Sequence, residues 1–349
     1  MADVFEPGDD HESASEFLLP YIQSGNINFL LGSGASFPAM PTAGNIEKEI
    51  DAFLTKKEEI SANAKCVEFI ENINAVHASI GKAGVPADVS KTLEGYTEFV
   101  RTLDRLLFSR KNLLLPRQAN IFTTNYDMFV ECAASLSPSV ILNDGFDRTT
   151  GLTNRFPFTP ERYFDRTYRS GGVYEHEIEI PTINLIKLHG SLSWRSDNSE
   201  VVFEASGIPA LSKAAKADAG EVTKYLERHF LILPNMRKFH TTLMDRVYYD
   251  LLRLYANALD RGNAILFCFG FSFADEHIFD ITRRALRNPT AQLIIFAFDQ
   301  AAATDYQGKF AKQRNAVVIA PPAGKVIDFA LLNKLLASVL PERSASHGA

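Results

Sequence analysis

The chain has 349 residues, 46% of them apolar and 22% charged, with 36 basic and 42 acidic side chains and a net charge of −6. That length suits one large domain or two modest ones with an ample core, and the composition is that of an ordinary globular protein. The acidic balance argues against broad binding of nucleic acid through this chain, because such binding rests on neutralising phosphates.

Residues 1–14 are acidic, contain Gly and Pro, and are expected to form a mobile tail ahead of a main domain spanning 15–349. They lack an apolar signal core, and no apolar run reaches the length of a membrane span. The three cysteines, Cys66, Cys132 and Cys268, lie far apart and form no C-x-x-C pair. A disulfide framework or cysteine-based zinc site is therefore not expected. A cytoplasmic protein that does not enter a membrane is the expectation.

"NINFLL" at 26–31 reads as a buried strand that stops at Gly32. A helix is predicted from near Asn45, a good N-cap, with Ile46, Ile50, Phe53 and Leu54 at helical spacing. Residues 45–115 are mostly helical in pattern, and Phe99, Leu103, Leu106 and Leu107 share one face. "ANIFTTNYD" is a short strand ending in polar residues at 123–127, followed by a helix from Tyr126 to about Ala134. Residues 140–180, rich in Gly, Thr, Arg and aromatics, predict loops and a hairpin.

"TINLIKLHGS" is a further strand ending in polar residues and glycine, and "LSKAAKADAGEVTKYLERH" reads as an exposed helix. From Thr241 to Asp260, Leu243, Val247, Leu251, Leu254, Tyr255 and Leu259 form one helical stripe. Strand "AILFCFGFS" then ends at Gly270, a helix starts near Asp275, and strands "QLIIFAFD" and "AVVIA" alternate with helices near 303–313 and 326–339. Strands that are apolar on both faces and alternate with helices predict an α/β fold: a parallel sheet with helices on each side.

In such a sheet the ligand sits at the carboxyl ends of the strands, and four strands here end in small or polar groups. Gly32, Ser33 and Gly34 form either a tight turn or a loop whose backbone amides approach a phosphate, with Ser36 adding a hydroxyl. Thr124, Asn125 and Asp127 either begin a helix or present an amide and a carboxylate to a ligand. His189 follows a strand directly and precedes a glycine, where a proton-exchanging ring can meet sugar hydroxyls. Gly270 and Ser272 form either a strand–helix connection or a ribose- or phosphate-facing turn. Asp299 either binds adenosine-ribose hydroxyls, which favours NAD over NADP, or caps the next helix. The remaining histidines show no metal-ligand spacing.

Taken in order, "LGSGAS", "TTNYD", "KLHGS" and "CFGFSFADEHI" resemble the sirtuin superfamily, and more closely its bacterial sirtuin-like branch used in anti-phage defence. The resemblance implies a Rossmann-like domain with a helical insertion at about 45–118 and bound NAD. It matches Gly32, Gly34 and Ser36 to the phosphate loop and Thr124, Asn125 and Asp127 to the nicotinamide side. His189 matches the catalytic histidine, and Gly270 and Ser272 the later nucleotide-contacting turn. Sirtuin deacylases carry a four-cysteine zinc module after the histidine, whereas the span from Trp194 to Pro234 has no cysteine. The Asp-Phe-Arg run of deacylases is likewise replaced by "FPAMPTAGN".

Both departures favour an NAD hydrolase, with NAD as substrate and no metal required. Its reaction breaks the nicotinamide–ribose bond through an oxocarbenium-like state, as in glycoside hydrolysis. Asn125 is assigned to orienting water and the nicotinamide ribose, Asp127 to the carboxamide, and His189 to ribose hydroxyls and proton transfer. Control by assembly is expected, as a homo-oligomer or with a partner, which in the resembled branch is a HerA-type ATPase or a short Argonaute-type protein; nucleic acid would act only indirectly. The alternatives are an NAD-dependent deacylase or ADP-ribosyltransferase, and a non-catalytic subunit that binds NAD or ADP-ribose.

Overall fold

A computed structural model describes residues 2–8, 12–40, 43–110, 114–148, 156–171, 177–197, 200–204, 208–232 and 242–341. The chain opens with strand β1 (Asp3–Phe5) and helix α1 (Glu12–Ser24), then β2 (Asn26–Leu31). Helices α2 (Ala43–Thr55), α3 (Glu59–Ser79) and α4 (Ala87–Phe108) precede β3 (Gln118–Thr123), α5 (Phe129–Ser135) and β4 (Ile141–Asn143). Short strands β5 (Phe156–Pro157), β6 (Tyr168–Ser170) and β7 (Glu177–Glu179) lead to β8 (Thr182–Lys187). Next come β9 (Gly190–Asp197), β10 (Glu200–Phe203), α6 (Lys213–Lys216), α7 (Ala219–Arg228) and β11 (His229–Leu231). The last third alternates α8 (Thr242–Leu259), β12 (Ala264–Phe269), α9 (Glu276–Ala285), β13 (Gln292–Phe296), α10 (Gln300–Lys309), β14 (Ala316–Ile319) and α11 (Phe329–Ala337).

Eight of these strands form one parallel sheet in the order β1-β14-β13-β12-β2-β3-β8-β4. Every residue of β8 and β12 is buried, as a sheet covered on both faces requires. Alternate side chains feed two cores. Ile27, Phe29, Phe267 and Phe296 pack under α1, α3, α4, α5 and α11, while Leu30, Leu266, Cys268 and Ile295 pack under α8, α9 and α10. The α/β, Rossmann-like architecture follows directly from this two-sided burial. A four-stranded antiparallel sheet, β11-β9-β10-β5, and the β6–β7 ribbon stand beside it.

Strand register is pinned by a ladder of asparagine side chains running across the sheet. Asn120 donates to Asn28 at 2.7 Å, Asn184 to Asn120 at 2.9 Å, and Asn143 to Asn184 at 3.1 Å, each pair in register on adjacent strands. The amide of Asn28 ends the ladder on the Ile265 carbonyl at 3.2 Å. A slip of one residue would turn each amide to the opposite face and leave it unpaired in an apolar layer.

Several local expectations change. Residues 3–5, read as part of a mobile tail, pair with Val317–Ile319 and form the sheet edge. Asn45 lies inside α2, which begins at Ala43, so it is not the N-cap. Within the region read as a helical insertion, α4 packs directly against the sheet: Phe99 meets Phe29 edge-on at 5.0 Å. The helix read as exposed, α7, buries Val222, Tyr225 and Leu226. Trp194 is a core residue, packed against Phe146 and Phe158 at 5.4 and 5.2 Å. Within the Arg-rich region 140–180, two arginines are held by internal carboxylates: Arg148 grips Asp144 through two 2.6 Å contacts and Arg162 reaches Asp147 at 2.6 Å. Arg155, His240 and the stretches 149–155 and 172–176 lie outside the described residues.

Candidate active site

The order in which strands are added reverses at β2. From β2 the chain proceeds to β3, β4 and β8 on one side, then crosses to β12, β13 and β14 on the other. At such a switch point the loops leaving neighbouring strands part and open a crevice. A cleft of about 550 Å³ lies there, within the range of small-molecule and cofactor sites. It gathers Ser33, Gly34 and Ser36 after β2, Thr124, Asn125 and Asp127 after β3, His189 after β8, and Gly270 and Ser272 after β12. Met40, Lys48, Phe69 and Ile73 close it from the segment between β2 and β3. Residues from four strand ends, separated by up to 239 positions, therefore share one cavity.

Gly32 and Asp299 are absent from the lining. Asp299 caps α10, accepting from Ala302 N at 2.8 Å. The glycines serve each other before any ligand. A Cβ on Gly32 would come within 2.3 Å of the Gly270 carbonyl oxygen, and one on Gly270 would come within 2.5 Å of Ala35 N. Gly270 also adopts φ +65°, which favours glycine. The amides of Gly32 and Gly34 donate to Phe269 O and Gly270 O, both at 3.0 Å. Close contact between the β2 and β12 loops thus explains these glycines, and two of the loop's amides expected to cradle a phosphate, those of Gly32 and Gly34, are already used.

Ser36 is redirected in the same way. Its hydroxyl donates to Asp127 Oδ2 at 2.6 Å and stands 2.9 Å from the Tyr96 hydroxyl and 3.0 Å from Asn125 Nδ2. A hydroxyl has one proton, and the ionised carboxylate can only accept. Tyr96 must therefore donate to Ser36 Oγ, as does Asn125. Asn125 Nδ2 spends its other proton on the Gly32 carbonyl at 2.9 Å, which fixes the amide's orientation. Asn125 Oδ1 accepts no hydrogen bond from a described residue, and this oxygen is what the side chain leaves for the cleft. Thr123 Oγ1 steadies the turn beneath it, donating to Leu31 O and accepting from Asn125 N. Burial, with the Asp127 charge adding to it, raises the Tyr96 phenol well above its ordinary value. It therefore serves as a permanent neutral donor.

The Asp127 carboxylate is oriented from both ends, by Ser36 and by the Phe129 amide at 3.2 Å. Beneath its backbone lies the fully buried Lys187, which donates to Asp127 O and to Ser191 Oγ at 3.0 Å and pairs with Glu131 at 2.9 Å. A buried cation needs such partners. Desolvation nonetheless raises the Glu131 carboxyl despite the attraction of Lys187. His77 on α3 completes the support by accepting from Met128 N at 2.9 Å through Nε2.

His189 Nε2 lies 3.0 Å from Asp275 Oδ2, while Asp275 Oδ1 accepts from Ile278 N at 3.0 Å and caps α9. One carboxylate thus anchors a helix and orients the ring. Burial alone would raise the Asp275 carboxyl, but the bond and charge of His189 and the Ile278 amide outweigh it and hold the group below its ordinary value. With Nε2 committed to the carboxylate, Nδ1 is the ring nitrogen left for a ligand.

Sequence reading missed Tyr96, His77, Glu131, Lys187 and the second role of Asp275. Lys187 carried a signal: a lysine inside the apolar run "INLIKL" must find a partner. Tyr96 shares the apolar stripe of α4 and carries none.

Burial lowers His77 and His229 from about 6.5 to about 4. Between those values the unfolded chain binds protons that the folded chain excludes, so stability falls as pH falls. The depressed Asp275 adds a loss below its ordinary value of 3.8. Melting temperatures measured from pH 7.5 to 4.5 are expected to decline, and His229→Gln, remote from the cleft lining, to flatten that decline. A slope unchanged in the variant would show that His229 is not one of its sources.

Fold and cavity together define a parallel α/β protein with its ligand cleft at the carboxyl ends of the central strands. The family model for the SIR2-like domain matches residues 119–319. That is more than half of the chain, and the chain belongs to this family. SIR2-like domains use NAD, so the chain is of an NAD-utilising class. No curated protein matches the chain. Asn125, Asp127, His189, Gly270 and Asp275 all fall within the matched span. Among the described residues no helix is long and apolar enough to cross a membrane.

Proposed function

We propose that the chain is an NAD+ glycohydrolase that releases nicotinamide and ADP-ribose. The observation that carries this reading is the Asn125 side chain: its amide is locked to Gly32 O and Ser36 Oγ, and its oxygen is left for the cleft beside His189. An oriented acceptor of this kind can hold a water or a ribose hydroxyl for attack at the sugar carbon. Asp127, oriented by Ser36, retains lone pairs for the carboxamide amine of nicotinamide. His189, steadied by Asp275, accepts from a ribose hydroxyl and takes up the proton released by the attacking water. Apolar Met40, Phe69 and Ile73 limit water to what the reaction needs.

On this reading the protein is a cytoplasmic effector of anti-phage defence that depletes NAD. It is held in check by self-assembly or by a partner, such as a HerA-type ATPase or a short Argonaute-type protein. The test incubates the purified chain with NAD, with and without the product of the neighbouring gene, and resolves nicotinamide and ADP-ribose by chromatography. Free ADP-ribose in equal measure to nicotinamide is the expected result. Nicotinamide release only in the presence of an acyl-lysine peptide would replace hydrolysis by deacylation. Tight NAD binding without nicotinamide would leave a sensor. Gel filtration of the same samples reports the assembly that accompanies activity.

A further inference from the structure

A second concavity, of about 940 Å³, lies away from the cleft. It lies at the opposite end of the sheet, where β13 begins at Gln292 and where Asn315 precedes β14. Five cations line it: Arg283, Arg284 and Arg287 at the end of α9, and Lys312 and Arg314 on the loop after α10. Asp280 is the single carboxylate, and it is paired with Arg283 at 3.2 Å. The other four cations are exposed and make no ion pair with a described residue.

Cations at the end of α9 also complement the helix dipole. That accounts for one wall only, because Lys312 and Arg314 come from a different loop. The walls are fastened together: Asn315 Nδ2 donates to the carbonyls of Leu286, Asn288 and Ala291 at 3.1, 3.1 and 2.7 Å. The groove is therefore held open and charged before anything binds. In a chain of net charge −6 such a concentration is local, and at physiological salt the distant acids are screened beyond about 8 Å.

We propose that this groove binds the phosphate backbone of a nucleic acid. Guanidinium forks match phosphate oxygens, and a concave track of like charges follows a chain of phosphates. A protein partner needs an apolar centre, and the only apolar side chains in the lining are Leu286, which is buried, and Pro289. The lining has no aromatic residue to stack on bases, so recognition is of backbone rather than sequence.

Fluorescence anisotropy with labelled single-stranded and duplex DNA of mixed sequence, on the full chain, tests the proposal. Binding of either form in the micromolar range at low salt is expected, weakening as salt rises. The triple variant Arg284→Glu, Arg287→Glu, Arg314→Glu should lose at least ~10-fold and flatten the salt dependence by about one logarithmic unit per contact removed. Reversal of Lys82, Lys91 and Lys334, exposed lysines elsewhere, makes the same change in net charge and should leave binding nearly intact. If the triple variant does not fold, Arg314→Glu alone should show the same trend. No binding by the wild-type chain, or equal loss in both triple variants, would overturn the assignment. Capture of poly-glutamate but of neither DNA would overturn it in favour of an acidic protein partner.

Discussion

Asn125→Ala is expected to lower nicotinamide release by ~100- to 1000-fold, the typical cost of deleting one group that acts in the transition state. The loss should fall mainly on kcat, because the missing oxygen orients the attacking water more than it anchors the dinucleotide. Gly32 O and Ser36 Oγ each lose a donor in the variant. Each keeps another donor, Ala35 N on Gly32 O and Tyr96 on Ser36 Oγ, so each lost hydrogen bond costs about 0.5–1.5 kcal/mol and the melting temperature should drop by a few degrees with the fold retained. Asn125→Asp separates the two effects. It keeps the shape and an oxygen for the cleft but sets the other oxygen against the Gly32 carbonyl, which turns the group out of its locked orientation, so it should be the less stable variant and also lose turnover. Steady-state kinetics beside thermal melts read both quantities, and wild-type turnover in either variant would remove Asn125 from the mechanism.

The second large effect is expected at Asp275, which acts through His189. Asp275→Asn keeps a side-chain oxygen for Ile278 N, and Asn caps helices as well as Asp does. What it loses is the charge facing the ring. A hydrogen bond to a charged group contributes about 1.5–3 kcal/mol, which corresponds to a fall in kcat of ~10- to 100-fold. KM and melting temperature should change little. Asp275→Ala loses the cap as well and should cost about 1 kcal/mol of stability in addition. If Asp275→Asn turns over like the wild type while Asp275→Ala only melts earlier, Asp275 is a helix cap and nothing more.

Much of the architecture was legible because parallel strands buried on both faces must be apolar throughout, and "TINLIK" and "AILFCF" are long enough to show it. The strand ends were legible for the opposite reason. Asn125, His189 and Gly270 break apolar runs where a core would not tolerate them, and the structure brings all three to one cleft. Roles within that cleft were not legible. Ser36 and Gly34 suit a phosphate loop in any linear reading, yet their hydrogen bonds run to Asp127 and Gly270. Asp299 reads as a ribose ligand or a cap, and its 2.8 Å bond to Ala302 N makes it a cap. Lys187 and Glu131 meet only because β8 and α5 are neighbours in space, with 55 residues between them in the chain.

The basic groove shows the same division at the scale of the whole surface. A net charge of −6 describes the chain as acidic, because a sum carries no positions. Arg284 and Arg314 become one feature when a loop after α10 folds against the end of α9 and Asn315 fastens them. The amino-acid sequence by itself determined the class of fold and the strand ends that would hold the site, because burial and periodicity act over a few neighbouring residues. Tertiary structure decided which hydrogen-bonding groups were used inside the protein and which were left for a ligand, because donors and acceptors far apart in the chain are matched only when the sheet and its loops are assembled.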